Sequence, residues 1–199
     1  MHMRRGNTTR STGTRARIKA ALAGLIGDKG FEELTVSDLT RRAGINRGTF
    51  YLHFVDKYDL LDQLEGEVIA QLEKNLLSGD GRGAEGGDLF PYERVRAALA
   101  YVYGDFSFVA AISGPGGDPQ FRSKLTRVIG TLLDEGLEAA GERVRGDGTY
   151  PAVYAREVVL GSVMAVINLW LTRGGRESPE QVAAMICSLK DRTPASFVA

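Results

Sequence analysis

A single cysteine, two histidines and six prolines among 199 residues leave little material for several kinds of chemistry. With only Cys187 available, no internal disulfide can form, and a reducing compartment is the expected setting. Cys187 sits beside Ile186 and Leu189, so the reading is of a buried, inert thiol. His2 and His53 lie far from Cys187 in the chain, and no HExxH, phosphate-binding loop or cluster of metal ligands accompanies them. The expectation is of a protein that is not an enzyme and has neither metal nor cofactor. Long apolar runs are also missing. The best stretch, residues 158–171, is interrupted by Gly161, Ser162 and Asn168 and falls short of the roughly 20 residues that span a bilayer. Residues 1–14 are polar and basic without an apolar centre, unlike a signal peptide. A cytoplasmic protein is expected.

Net charge is lacking too, since 25 basic residues face 25 acidic ones. The distribution is nevertheless uneven. Through residue 58 there are eleven basic residues and five acidic ones, a local +6 that leaves −6 on the remaining 141. A basic head on an acidic body suits a binder of polyanions that uses one end only.

The prolines, at 91, 115, 119, 151, 179 and 194, avoid the interior of every long periodic segment, and no alternating β-branched run suggests a strand. The chain therefore reads as all-α, with about nine helices. Residues 1–14 read as a disordered basic tail. Ile18, Ala21, Leu22, Leu25 and Ile26 make one apolar stripe on a helix over 15–29, which Gly30 ends. Thr35 caps a second helix with Asp38 three residues on, a capping-box pattern. Gly44 stops that helix, and Asn46 caps a short third helix through about His53. Asp56 caps a long fourth helix with Asp59 in its first turn. Residues 78–88 are glycine-rich and read as a flexible loop. Further helices are expected near 91–103, 105–112, 119–143, 151–173 and 179–190.

Two short helices joined by a glycine turn make a helix-turn-helix, whose second helix enters the major groove of double-stranded DNA. Phe50 and Phe54, four apart, anchor one face of that helix. Arg47, Thr49 and Tyr51 lie on the other, with His53 at its end. Arginine reads guanine bidentately, Gly48 lets the backbone approach base edges, and hydroxyl and imidazole donors reach phosphate oxygens. Lys57 stands in the first turn of the fourth helix, where a lysine does not help the helix dipole and phosphate contact is the better explanation. The residues leave open that Tyr51 is a core aromatic, that His53 caps the helix end, and that Arg47 is a solvated charge.

The segment Phe31-Glu-Glu-Leu-Thr35-Val-Ser-Asp-Leu-Thr-Arg-Arg-Ala43-Gly44-Ile-Asn-Arg-Gly48-Thr49-Phe50-Tyr51-Leu-His53-Phe54, followed by Lys57-Tyr-Asp-Leu60-Leu61, resembles the TetR-family DNA-binding domain without a gap in spacing. The resemblance implies a helix-turn-helix domain over 15–57 and a helical ligand-binding and dimerising domain over 58–199. It also implies that Thr35, Thr49, Tyr51, His53 and Lys57 touch phosphate while Asn46, Arg47 and Gly48 face bases. Leu52 departs from the pattern, because many members carry an aromatic there.

In the body, residues 153–171 are apolar on nearly every side, which a surface helix of a monomer does not tolerate. A homodimer through the helices near 119–143 and 151–173 is therefore expected, with a near-palindromic operator. Leu64, Val68, Tyr101, Phe106, Phe108 and Met164 are candidate linings of a pocket for a small, largely apolar effector, gated by residues 113–120 and 78–88. The same residues also suit plain core packing. Ligand-relieved repression is one expectation. A body that senses no ligand and only dimerises or recruits a protein partner is the other.

Overall fold

The computed structural model describes residues 7–77, 89–139 and 151–189. Among them are nine helices and no strand: α1 (Asn7–Lys29), α2 (Val36–Ala43), α3 (Arg47–Tyr51), α4 (Lys57–Leu77), α5 (Tyr92–Gly104), α6 (Phe106–Ser113), α7 (Pro119–Ala139), α8 (Ala152–Thr172) and α9 (Pro179–Ser188). They group into two compact units. Of the described residues, those up to 68 and 107–121 make the first, and those in 69–106 and from 122 onward make the second. The boundary expected at residue 57 thus falls inside the first unit, which also takes in most of α6.

The core of the first unit follows the apolar stripes. Ile18 and Leu22 of α1, Leu39 of α2, Phe50 of α3 and Leu60 of α4 are fully buried, and Leu25, Ile26, Phe54, Leu64 and Val68 nearly so. Each such side chain contributes roughly 1.5–3 kcal/mol relative to exposure, which outweighs any loss of propensity in the five-residue α3. Phe108, Val109, Ile112 and Phe121 complete this core from the segment 107–121.

In the second unit α5 packs on α9, and α9 on α8. Val95, Ala98, Leu99 and Val102 are buried on α5, Val182, Ala183 and Ile186 on α9. Ser178 caps α9 in a capping box with Gln181, and Pro179 occupies the first turn, where its missing N–H costs nothing. The Trp170 indole N–H donates to the Glu177 carbonyl at 2.9 Å, closing the α8–α9 turn.

Several expectations are corrected. The helix expected from Arg15 begins at Asn7, so residues 7–14 are helical rather than a disordered tail. Residues 7–14 contain no proline, and apolar periodicity does not by itself report how far a helix extends. The third helix closes at Tyr51, and Leu52 and His53 form a turn. Cys187 is half-buried rather than buried, and its thiol donates to the Phe90 carbonyl at 3.1 Å. Residues 153–172 of α8 are long and apolar enough, by length and composition, to cross a membrane, contrary to the count of the uninterrupted run alone. That helix carries Arg156, which pairs bidentately with Asp134 of α7 at 2.8 and 2.9 Å. The expected loop 78–88, residues 140–143 and residue 190 lie outside the described residues.

Candidate nucleic-acid interface

The helix-turn-helix is held by its caps. At the start of α2 the Thr35 hydroxyl accepts the Asp38 N–H at 3.2 Å, and the Asp38 carboxylate accepts the Thr35 N–H at 3.0 Å. The same carboxylate takes the Thr35 hydroxyl proton at 2.8 Å and pairs with Lys29 and Arg41, each at 2.6 Å. Hydrogen bonds from Lys29 foremost, then from the Thr35 hydroxyl and N–H, hold the Asp38 carboxyl far below the ordinary carboxylate range. At the other end Gly44 adopts φ 61° and ψ 42°, the left-handed cap that glycine takes without strain. Arg17 of α1 donates to the Gly44 carbonyl at 2.6 Å and so ties the turn to the first helix.

The second cap is Asn46. Its Oδ1 accepts the Thr49 N–H at 2.7 Å and the Thr49 hydroxyl at 3.0 Å. Phe50 and Phe54 pack with ring centroids 5.5 Å apart, facing inward. The opposite face is open: Arg47 and Gly48 are exposed, Tyr51 is 51 % exposed and Leu52 83 %. Thr49 and His53 are half-buried at its margin. Tyr51 meets Phe50 edge-on at 5.5 Å while remaining solvent-facing, so it is not a core aromatic. Among the described residues Arg47 has no ion-pair partner. The structure thus brings Asn46, Arg47, Gly48, Thr49 and Tyr51 onto one open surface, with His53 at its edge.

Thr35 and Lys57 are placed differently. Thr35 is exposed, but its hydroxyl serves the capping box. Lys57 is half-buried, and its ammonium donates to the carbonyls of Phe31 at 3.1 Å and Glu32 at 2.7 Å. It also lies 4.9 Å from the Phe31 ring centroid and 5.0 Å from that of Tyr58, a cation–π arrangement. At the start of α4, Asp56 Oδ1 accepts the N–H groups of Tyr58 and Asp59, both at 2.8 Å, and Asp59 in turn accepts the Val55 N–H at 2.8 Å. Hydrogen bonds from Gln63 and from the Val55 N–H lower the Asp59 pKa. Sequence reasoning missed Arg17, because nothing in its local pattern announces a partner 27 residues away.

Of the effector candidates, Leu64, Val68 and Phe108 are buried in the first unit, at 1 %, 0 % and 2 % exposure. Met164 is buried in the second unit, where Tyr101 and Phe106 are half-buried. Phe106 stands edge-on to Trp170 at 5.5 Å. An open groove of about 290 Å³ lies in the second unit between Val166, Leu169 and Trp170 of α8, Arg173 just beyond it, and Val182 and Met185 of α9, and none of the six candidates lines it. The turn expected to gate a pocket is itself pinned: Asp118 N–H donates to the Ile112 carbonyl at 3.2 Å and Gly117 N–H to the Gly114 carbonyl at 3.0 Å.

An all-α chain with a capped helix-turn-helix, its second helix open on one side, belongs to the helix-turn-helix class. The profile described as bacterial regulatory proteins, tetR family, matches residues 18–64, and that of a transcriptional regulator C-terminal region matches residues 91–191. The chain belongs to the TetR family. An uncharacterized HTH-type transcriptional regulator, YxbF of Bacillus subtilis (strain 168), is 22 % identical over 186 residues, 87 % of this chain. The chain spans 44 % of that relative's length. Among solved structures, the dihydroxyacetone kinase operon activator DhaS aligns with a TM-score of 0.59 at 21 % identity, covering 88 % of this chain and 93 % of that one. The fatty acid degradation regulator FadR of Bacillus halodurans also aligns at 0.59, with 20 % identity over 88 % of this chain and 93 % of its own. FadR of Bacillus subtilis, solved in complex with stearoyl-CoA, gives 0.59 at 18 % identity, over 87 % and 96 %. These likenesses establish the fold.

Proposed function

We propose that this protein is a cytoplasmic, homodimeric repressor that binds a near-palindromic operator in double-stranded DNA and releases it when a small, largely apolar ligand occupies the body. The observation that carries the DNA-binding part is the two-sidedness of α3. Phe50 is fully buried, while Arg47, Gly48 and Tyr51 on the opposite side are exposed. An exposed arginine at the first position of such a helix suits bidentate reading of guanine. Tyr51, Thr49 and His53 at its flank suit phosphate oxygens. Thr35 and Lys57 are further phosphate contacts in this reading, and Asn46 and Gly48 face bases beside Arg47.

The homodimer is supported by α8, whose outward residues Val153, Tyr154, Val158 and Leu169 are 59–63 % exposed. The ligand part rests on the fold shared with a FadR that holds stearoyl-CoA. A body that only dimerises or recruits a protein partner is the second reading. The near-complete burial of Leu64, Val68 and Phe108, as in an ordinary core, favours it.

Selection of bound sequences from random duplex DNA at one fixed salt concentration tests the first part. The expected product is an inverted repeat with half-sites about 34 Å apart. Arg47→Ala should relax preference at one base pair per half-site, at about 1–3 kcal/mol of discrimination. Absence of any enriched sequence would overturn the reading. For the ligand, release of the selected operator by apolar acyl compounds is expected; a panel without effect favours the second reading.

A further inference from the structure

Segment 107–121 is remote in sequence from the helix-turn-helix, yet it joins the same compact unit. Two contacts hold it there. Phe108 of α6 lies with its ring centroid 4.6 Å from the Lys19 ammonium of α1. Beyond α6, Gly116 rests on the α1–α2 corner, where its carbonyl accepts the Phe31 N–H at 2.8 Å. The approach is close. A methyl added to Gly116 would stand 3.0 Å from the Ile26 carbonyl oxygen and 3.1 Å from the Gly30 Cα. The other end of the same residue is also engaged, because the Phe31 carbonyl accepts the Lys57 ammonium at 3.1 Å while the Glu32 carbonyl accepts it at 2.7 Å.

We infer that Gly116 and Phe31 are positioning residues for the Lys57 ammonium, linking the α6–α7 turn to the phosphate contact at the start of α4. An ammonium has three protons. Two of them are committed to the corner carbonyls, so the direction of the third is set by where the corner sits. The corner in turn is set by Gly116, through Phe31, whose N–H bonds to Gly116 and whose C=O bonds to Lys57. A shift of α6 therefore reaches Lys57, the first residue of α4, through the α1–α2 corner and not only along the length of α4. The inference rests on the DNA-binding reading above, and the coupling it describes must be reciprocal: operator bound at Lys57 steadies the Phe31–Gly116 bond.

The experiment is a two-mutant cycle on the selected operator, titrated over a series of salt concentrations. The wild-type chain is measured first; if it binds no operator, the DNA-binding reading fails and this inference with it. Given wild-type binding, Lys57→Met should weaken it about tenfold, the loss of one charge-assisted bond, and flatten the salt slope by about 0.9 per head. Gly116→Ala should weaken binding in the same direction with a partial loss of slope, and should add nothing in the Lys57→Met background. Wild-type affinity for Gly116→Ala, or an equal penalty in both backgrounds, overturns the inference while leaving DNA binding intact. A second measurement needs no substitution. In the wild-type chain, exchange of the Phe31 amide proton should slow when operator binds, and an unchanged rate overturns the inference.

Discussion

Most of the positive charge counted in the first third of the chain is spent on holding the fold. Arg15 pairs with Glu67, Arg42 with Asp28, and Lys29 and Arg41 share Asp38. Arg17 is committed to a carbonyl and Lys57 to two. Among the described residues, Arg47 is an exposed cation of this region with no ion-pair partner. Asp38 is the hub of this arrangement. Because its folded pKa lies below the unfolded value, it contributes stability that is fully present above about pH 4 and is lost as pH falls through the folded value. Asp38→Asn should therefore lower the urea midpoint at pH 7, and the gap to wild type should shrink as pH drops below about 4. Midpoints by circular dichroism across pH 2–8 check this; a gap independent of pH would assign the loss to packing instead of charge.

At the level of elements, the helix-turn-helix was legible because its determinants are local. Thr35 with Asp38, Gly44, Asn46 with Thr49, and Asp56 with Asp59 are caps whose partners lie within four residues. Burial of Phe50 and Phe54 follows from a spacing of four. Where partners are distant, the pattern was silent. Arg17 reaching Gly44, Lys57 reaching Phe31, and Gly116 meeting the α1–α2 corner are tertiary events without a local signature. The start of α1 was misplaced for a related reason, since apolar periodicity reports burial and not helix extent. Gly44 offers the sharpest check on an element boundary. An alanine there must hold φ near 61° and would bring its methyl 2.8 Å from an Arg17 guanidinium nitrogen. Gly44→Ala should cost about 1–2 kcal/mol from the left-handed backbone alone. It should also release Arg17 from the turn, and a urea midpoint unchanged from wild type would show that the turn relaxes freely.

For the whole molecule, the outward surface of the body decides which faces a second copy covers. Along α7, Arg122, Arg127, Asp134, Glu135 and Glu138 are exposed, and such a face gains little from burial. Along α8, Tyr154, Val158 and Leu169 are exposed with Gly161 and Ala165 between them, a stripe of apolar and small residues at helical spacing. Met185 of α9, 47 % exposed, extends it beside the groove at Leu169 and Trp170. We propose that α9 joins α8 in the dimer interface expected through the helices near 119–143 and 151–173. Leu169→Asp places a carboxylate in that stripe. It should leave the isolated subunit folded, because the position is 59 % exposed within the subunit. In the dimer it would bury two unpaired charges at a cost of several kcal/mol. Sedimentation equilibrium should then report about 21.5 kDa in place of twice that mass, and operator affinity should fall to that of a single head on a single half-site. If Leu169→Asp sediments as the wild-type dimer does, the interface lies elsewhere on the body, and α8 must be covered by a different partner.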